Sequence, residues 1–240
     1  MSGWRRRTFN APGLTQAPAG PYVAKLAKRW TRKIYVTSSG YDDIGEVLRS
    51  MKVPFEPFSG EYDADLLFVN CGTKDGVDPA SLRRFVDAGG CLYASDLTSG
   101  LIDRAFPGMF RFSGSGQAGT VAARVVDAEL REVVGEQTKI HFDLGGWSVL
   151  DGCEGETLVE AADSTDYAGR PIMVEVGCGE GVVFYTSFHN RAQVSAQERA
   201  LLQLLVLKQF SASSKMTVVQ AGEALGINVA SLKAGRRASD

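Results

Sequence analysis

Gly89-Gly90-Cys91-Leu92-Tyr93-Ala94-Ser95-Asp96 reads as a buried strand that ends in a polar turn, and Gly179-Glu180-Gly181-Val182-Val183-Phe184-Tyr185-Thr186-Ser187-Phe188-His189-Asn190 as a second whose exit carries one of the chain's two histidines. In both, apolar and aromatic residues run almost unbroken, the pattern of a strand covered on both faces in a parallel sheet. If the two lie in one such sheet, Ser95, Asp96 and His189 converge at its carboxyl edge, where open α/β sheets bind their ligands.

Working outward, Asp65-Leu66-Leu67-Phe68-Val69-Asn70-Cys71 is another continuous apolar run, and Lys33 to Ser38 supplies a first strand. Asp42 to Met51 carries Ile44, Val47, Leu48 and Met51 on one helical face. Asp78-Pro79 opens a further helix by a cap and a first-turn proline, turns Leu82, Phe85 and Val86 inward, and stops at Gly89-Gly90. The proline-broken piece Val53 to Phe58 suits a sheet edge. Strands and helices alternating at this spacing predict an α/β fold with a doubly wound, mostly parallel flavodoxin-like sheet.

From about 108 to 170 the pattern changes to short alternating runs between glycines and acidic turns, predicting a β-rich insertion with a helical turn near Ala128 to Val134. Pro171 to Val176 and Val182 to Ser187 then form a hairpin that returns to the sheet. Ser195 to Phe210 is the clearest helix, because Ser195 and Glu198 make a capping box ahead of Leu201, Leu202, Leu204, Leu205 and Val206. The domain so defined spans 33–210. Residues 1–32 read as a basic arm with a short helix, and 211–240 as a helical tail after a Ser-Ala-Ser-Ser linker.

At 240 residues and 44% hydrophobic content the chain can bury a full core, and a net charge of -2 gives no global pull toward nucleic acid or membrane. The local balance differs, since no acidic residue precedes Asp42 while Arg5, Arg6, Arg7, Lys25, Lys28, Arg29, Arg32 and Lys33 are basic. Nucleic-acid binding through that arm is the less favoured use of it, against a solvated leader or a packed helix. No run of about 18 apolar residues exists to span a bilayer, so no membrane contact is expected. The cysteines Cys71, Cys91, Cys153 and Cys178 lie far apart without C-x-x-C spacing. That pattern predicts free thiols, a cytoplasmic location, and neither a metal nor a cofactor.

Three features together resemble the class I glutamine amidotransferase-like superfamily, in its degenerate ThuA-like branch. They are Phe85-Val86-Asp87-Ala88-Gly89-Gly90 before a strand, the turn at Ser95-Asp96, and the late Gly-Glu-Gly-Val-Val-Phe-Tyr-Thr-Ser-Phe-His ending at His189. The resemblance covers roughly 33–210. It implies a nucleophilic cysteine at the strand-to-helix elbow, a late-strand histidine as base, and an acid two residues on. Here Ser95 takes the cysteine's place, His189 matches the histidine, and Arg191 occupies the acid position, so glutaminase chemistry is not expected.

The catalytic candidates are therefore Ser95, His189 and Asp96, with Asp96 or Asp103 as substitute orienting acids. Asn70, Cys71, Thr98 and Asn190 are candidates to line a ligand pocket at the same edge. Each also has an ordinary structural reading: Ser95 and Asp96 as a helix cap, His189 as a strand-end hydrogen-bonding group, Cys71 as a buried thiol. The function expected is a catalytically degenerate amidotransferase-like domain that binds or scaffolds within a multi-protein cytoplasmic system, with a protein partner held by the arm or tail and a small-molecule ligand possible. The alternative is a small-molecule hydrolase using Ser95 and His189. The Gly-Ser-Gly-Gln-Ala-Gly stretch at 114–119 lacks a following helix and reads as a turn, not a phosphate loop. Thr217 to Lys233 resembles the turn region of a helix-turn-helix, but two helices without a third predict docking on the domain or a partner.

Overall fold

The computed structural model describes residues 33–234. The basic arm and short helix assigned to 1–32 lie outside the described residues. In chain order the first elements are β1 (Ile34–Val36), α1 (Ile44–Ser50), β2 (Glu56–Pro57), β3 (Leu66–Val69), α2 (Pro79–Asp87), β4 (Cys91–Ser95) and α3 (Ser99–Ala105). Next come β5 (Phe110–Ser115), β6 (Gly119–Val125), α4 (Ala128–Val134), β7 (Gln137–Phe142), β8 (Ser148–Cys153), β9 (Glu156–Ala161), β10 (Pro171–Cys178) and β11 (Gly181–Thr186). Three helices close the described chain: α5 (Ala196–Ser214), α6 (Val218–Ala224) and α7 (Val229–Ala234).

This α/β fold is built on a nine-stranded sheet in the order β2-β1-β3-β4-β11-β10-β9-β6-β7. Its first five strands are parallel, and β4 lies directly beside β11 with Ser95 opposite Thr186. From β11 onward every pairing is antiparallel. The stretch expected as an insertion at 108–170 thus gives β6, β7 and β9 to the main sheet, and only β5 with β8 stands apart as a two-stranded ribbon. Alternation in sequence marks a strand with one covered face but does not say which sheet it joins.

Two cores sandwich the sheet. Ile34 and Val36 of β1 face the layer that holds Ile44 and Leu48 of α1 and Leu201, Leu205 and Phe210 of α5. Tyr35, one residue out of phase, joins Leu82, Phe85 and Val86 of α2 and Ile102 of α3 on the other side. Each fully buried Leu, Ile or Phe contributes about 1.5–3 kcal/mol, so α5 is a main support of its layer.

The tail belongs to this core. The helix α5 runs past the expected boundary at 210, since the serines read as a linker are tolerated in its last turn: Ser213 donates to Phe210 O at 3.2 Å. The helix ends only at Lys215, whose φ of 54° is left-handed. Val218 and Ala221 of α6 and Val229 of α7 are buried in the same layer as α5. Gly222 permits the turn to close, because a Cβ there would meet Val229 Cγ2 at 2.6 Å.

Beneath α5, burial pushes the carboxyl of Glu175 on β10 up to about 7, with the Lys208 ammonium opposing and Asp127 adding to the rise. Lys208 itself is held 2.9 Å from Asp127 and 3.2 Å from Glu129. A raised native value stabilises the fold fully below the unfolded value of 4.5, and that contribution is lost as pH rises through about 7. Glu175→Gln is expected to flatten the decline in unfolding free energy over that window and to be the more stable protein at about pH 8. Paired urea titrations of variant and wild type across the window measure it.

Candidate functional site

The exits of β1, β3, β4 and β11 lie side by side, and the loops that follow them build the site. Between β1 and α1, Asp42 is fully buried and its carboxylate accepts five hydrogen bonds. They come from Asn190 N at 2.8 Å, Asn190 Nδ2 at 2.9 Å, Ser95 Oγ at 2.9 Å, Asp43 N at 2.9 Å and Arg191 N at 3.4 Å. Burial pushes its carboxyl upward, against the Ser95 hydrogen bond and the charge of His189, which favour the ionised form. Cys71 O accepts from the amides of Tyr41 and Asp42 at 3.0 and 3.3 Å. That approach requires Gly40, since a Cβ there would lie 2.2 Å from Gly72 O.

A second group sits beside this one. His189 Nε2 is 3.2 Å from Cys71 Sγ and 3.0 Å from Asp96 Oδ2, while Nδ1 is 2.8 Å from Asp143 Oδ1. Cys71, Asp96 and His189 are 0%, 3% and 3% exposed. Burial alone would lower the imidazole, but its hydrogen bonds to Asp96 and Cys71, with the charges of Cys71 and Asp42, outweigh it and push His189 up to about 11. Asp96 is a non-glycine residue with φ of 43°, so the sharp strand-to-helix turn falls on it, one residue beyond Ser95, whose φ of -127° is extended. Its other carboxylate oxygen accepts from Ser148 N at 2.8 Å, and its carbonyl from Tyr185 OH at 2.7 Å. The ring of Tyr41 stacks on the imidazole at 6.4 Å.

Of the residues picked from the sequence, His189, Asp96 and Cys71 come together. Ser95 is buried with them, but its hydroxyl donates to Asp42 and accepts from Cys71 N at 3.1 Å. Asn70 and Asn190, expected to line a pocket, spend their amides on the fold. Asn70 donates to Thr37 O and accepts from Ile44 N, both at 2.9 Å, and Asn190 accepts from Tyr93 OH at 3.2 Å. Thr98 is buried with its hydroxyl unpartnered. Asp103 is exposed on α3, away from this role. Arg191 turns outward to Glu46 at 2.9 Å.

Asp42 and Asp143 are the members that sequence reasoning missed. Asp42 looked like an ordinary helix-start acid, and the cap itself is Asp43. Asp143 follows β7, four strands from β11, and reaches His189 because Gln193 ties the two segments: its amide donates to His141 O at 2.7 Å and His189 O at 3.1 Å. Nothing local to Asp143 signals this. The imidazole thus has an orienting carboxylate after all, supplied from the far half of the sheet.

No family model matches this chain, and no curated protein matches it either. Solved structures do. A β-galactosidase from Bacillus circulans sp. alkalophilus is similar at a TM-score of 0.54 and 12% identity, over 82% of this chain and 31% of that one. A cold-adapted β-galactosidase from Rahnella sp. R3 matches at 0.54 and 13%, over 75% and 31%. The chain therefore spans about a third of the length of these enzymes, and at such identity the likeness concerns fold alone. A GMP synthase-type protein from Thermoplasma acidophilum aligns over 86% of this chain and 96% of that one at 13% identity, with a TM-score of 0.49 that carries no weight for the fold. Among the described residues no helix is long and apolar enough to cross a membrane.

Asp42→Ala would strand the buried donors of Ser95 and Asn190, an effect of about 3 kcal/mol or more given the cost of unpaired buried groups. Urea unfolding is expected to show that loss at an unchanged m-value, whereas Arg191→Ala, at an exposed ion pair, shifts the midpoint little.

Proposed function

We propose that this chain is a catalytically degenerate amidotransferase-like domain that serves as a binding or scaffolding component of a multi-protein cytoplasmic system. One observation carries the reading: the elbow residue is Asp96, a buried carboxylate with both oxygens engaged, so the turn presents neither thiol nor hydroxyl to a substrate. A hydrolase working through Ser95 and His189 would need the Ser95 proton directed at the imidazole, and here it is directed at Asp42. The order β2-β1-β3-β4-β11 of the parallel half is the flavodoxin-like 2-1-3-4-5 arrangement, which supports the amidotransferase-like resemblance; the ThuA-like branch rests on the sequence motifs alone.

The rim also supplies a contact face. Tyr41, Leu97 and Leu144 are 56%, 50% and 43% exposed, and each is the chain neighbour of a site carboxylate, Asp42, Asp96 and Asp143. Large exposed apolar side chains next to these carboxylates favour association with a protein surface. The tail uses its apolar residues on its own domain, which moves the proposed contact from the tail to this rim.

Full-length protein is expected to release ammonia from glutamine, or acid from an ester panel, no faster than buffer; turnover abolished by His189→Ala would overturn the reading. Affinity capture from the source cells is expected to recover a partner that the Leu97→Asp, Leu144→Asp double variant loses, with the thermal midpoint nearly unchanged because both side chains are exposed.

A further inference from the structure

The degenerate-rim reading leaves one group unused, the triangle of Cys71 Sγ, Asp96 Oδ2 and His189 Nε2, in which three different donor types are buried together. We propose that these three residues bind a divalent metal ion of zinc type, with Asp143 as the positioning residue of the histidine ligand. This site stands independently of any partner at the rim.

Geometry is the first ground. The sides of the triangle are 3.0, 3.2 and 3.9 Å. A tetrahedral ion about 2.3 Å from sulfur and about 2.0–2.2 Å from nitrogen and oxygen requires donor separations of about 3.3–3.6 Å, so the ion enters with shifts of a few tenths of an ångström. The thiol-to-carboxylate side of 3.9 Å is long for a hydrogen bond and shortens by about 0.3 Å to become an edge of a coordination tetrahedron.

Orientation is the second. A metal-bound histidine characteristically donates its other ring nitrogen to a carboxylate, and Nδ1 of His189 does so to Asp143 at 2.8 Å. A metal-bound carboxylate has its free oxygen held, and Asp96 Oδ1 accepts from Ser148 N at 2.8 Å. Both neighbours leave the three donor atoms pointing at one another.

Charge is the third. The three donor side chains are buried, where an unbalanced charge is costly. A dication held by a thiolate, the Asp96 carboxylate and a neutral imidazole sums to zero. The sulfur, nitrogen and oxygen mixture selects zinc over magnesium or calcium, which take oxygen ligands. Three protein ligands leave a fourth position for water or a small anion, as in zinc sites that bind exogenous ligands.

The test uses full-length protein stripped with a chelator and titrated with Zn2+ against a chromophoric competitor, then with Co2+. One equivalent of Zn2+ is expected to bind, and the Co2+ protein is expected to show a near-ultraviolet sulfur-to-cobalt charge-transfer band. Cys71→Ser is expected to abolish the band, Cys153→Ser to leave it, and Asp143→Asn to weaken Zn2+ binding by about 10–100-fold. Failure of folded wild-type protein to bind a stoichiometric ion, a cobalt complex without the band, or unchanged affinity in folded Cys71→Ser protein would overturn the assignment. The wild-type measurements decide the matter even where a variant does not fold.

Discussion

The carboxylate of Asp42 holds the rim together. It sits at the exit of β1 and takes hydrogen bonds from the exit of β4 through Ser95 and from the exit of β11 through Asn190. Loops after parallel strands are otherwise free to splay, since each follows its own helix. A buried acid that joins three of them fixes their spacing, and the low dielectric strengthens every bond in the set. The spacing of Cys71, Asp96 and His189 follows from it: Cys71 is tied to the Asp42 loop through its carbonyl, Asp96 is one residue from Ser95, and His189 is one residue from Asn190.

The parallel half of the fold was legible because its strands announce themselves twice, by unbroken apolar runs and by the punctuation of Asp78-Pro79 and Gly89-Gly90. Capping chemistry did the same for α5 through Ser195 and Glu198, whose reciprocal bonds are both formed. The antiparallel half was not legible in full. Its alternating runs predicted strands correctly in kind, yet the choice between a separate β unit and an extension of the main sheet depends on cross-strand pairing, which no single strand encodes.

The site divides along the same line. Residues at the exits of the unbroken strands, Cys71, Asp96 and His189, could be named from their position alone. What could not be read was who speaks to whom. Ser95 was the obvious partner for His189 by resemblance, but the left-handed turn at Asp96 displaces the elbow by one residue and gives the hydroxyl to Asp42. Asp143 lies 46 residues before His189 and on the opposite half of the sheet, so its role depends on Gln193 holding the His189 loop against the end of β7.

The central pairing of β4 with β11 has a consequence for how the molecule is made. Cys91 pairs with Val182, so during synthesis the middle of the sheet stays open until the chain beyond residue 182 has left the ribosome. Until then β4 is an exposed, apolar edge of the kind that recruits stray strands. A nascent chain of this design has a long interval of aggregation risk and a high demand for chaperone protection, set by topology and not by the composition of any one strand.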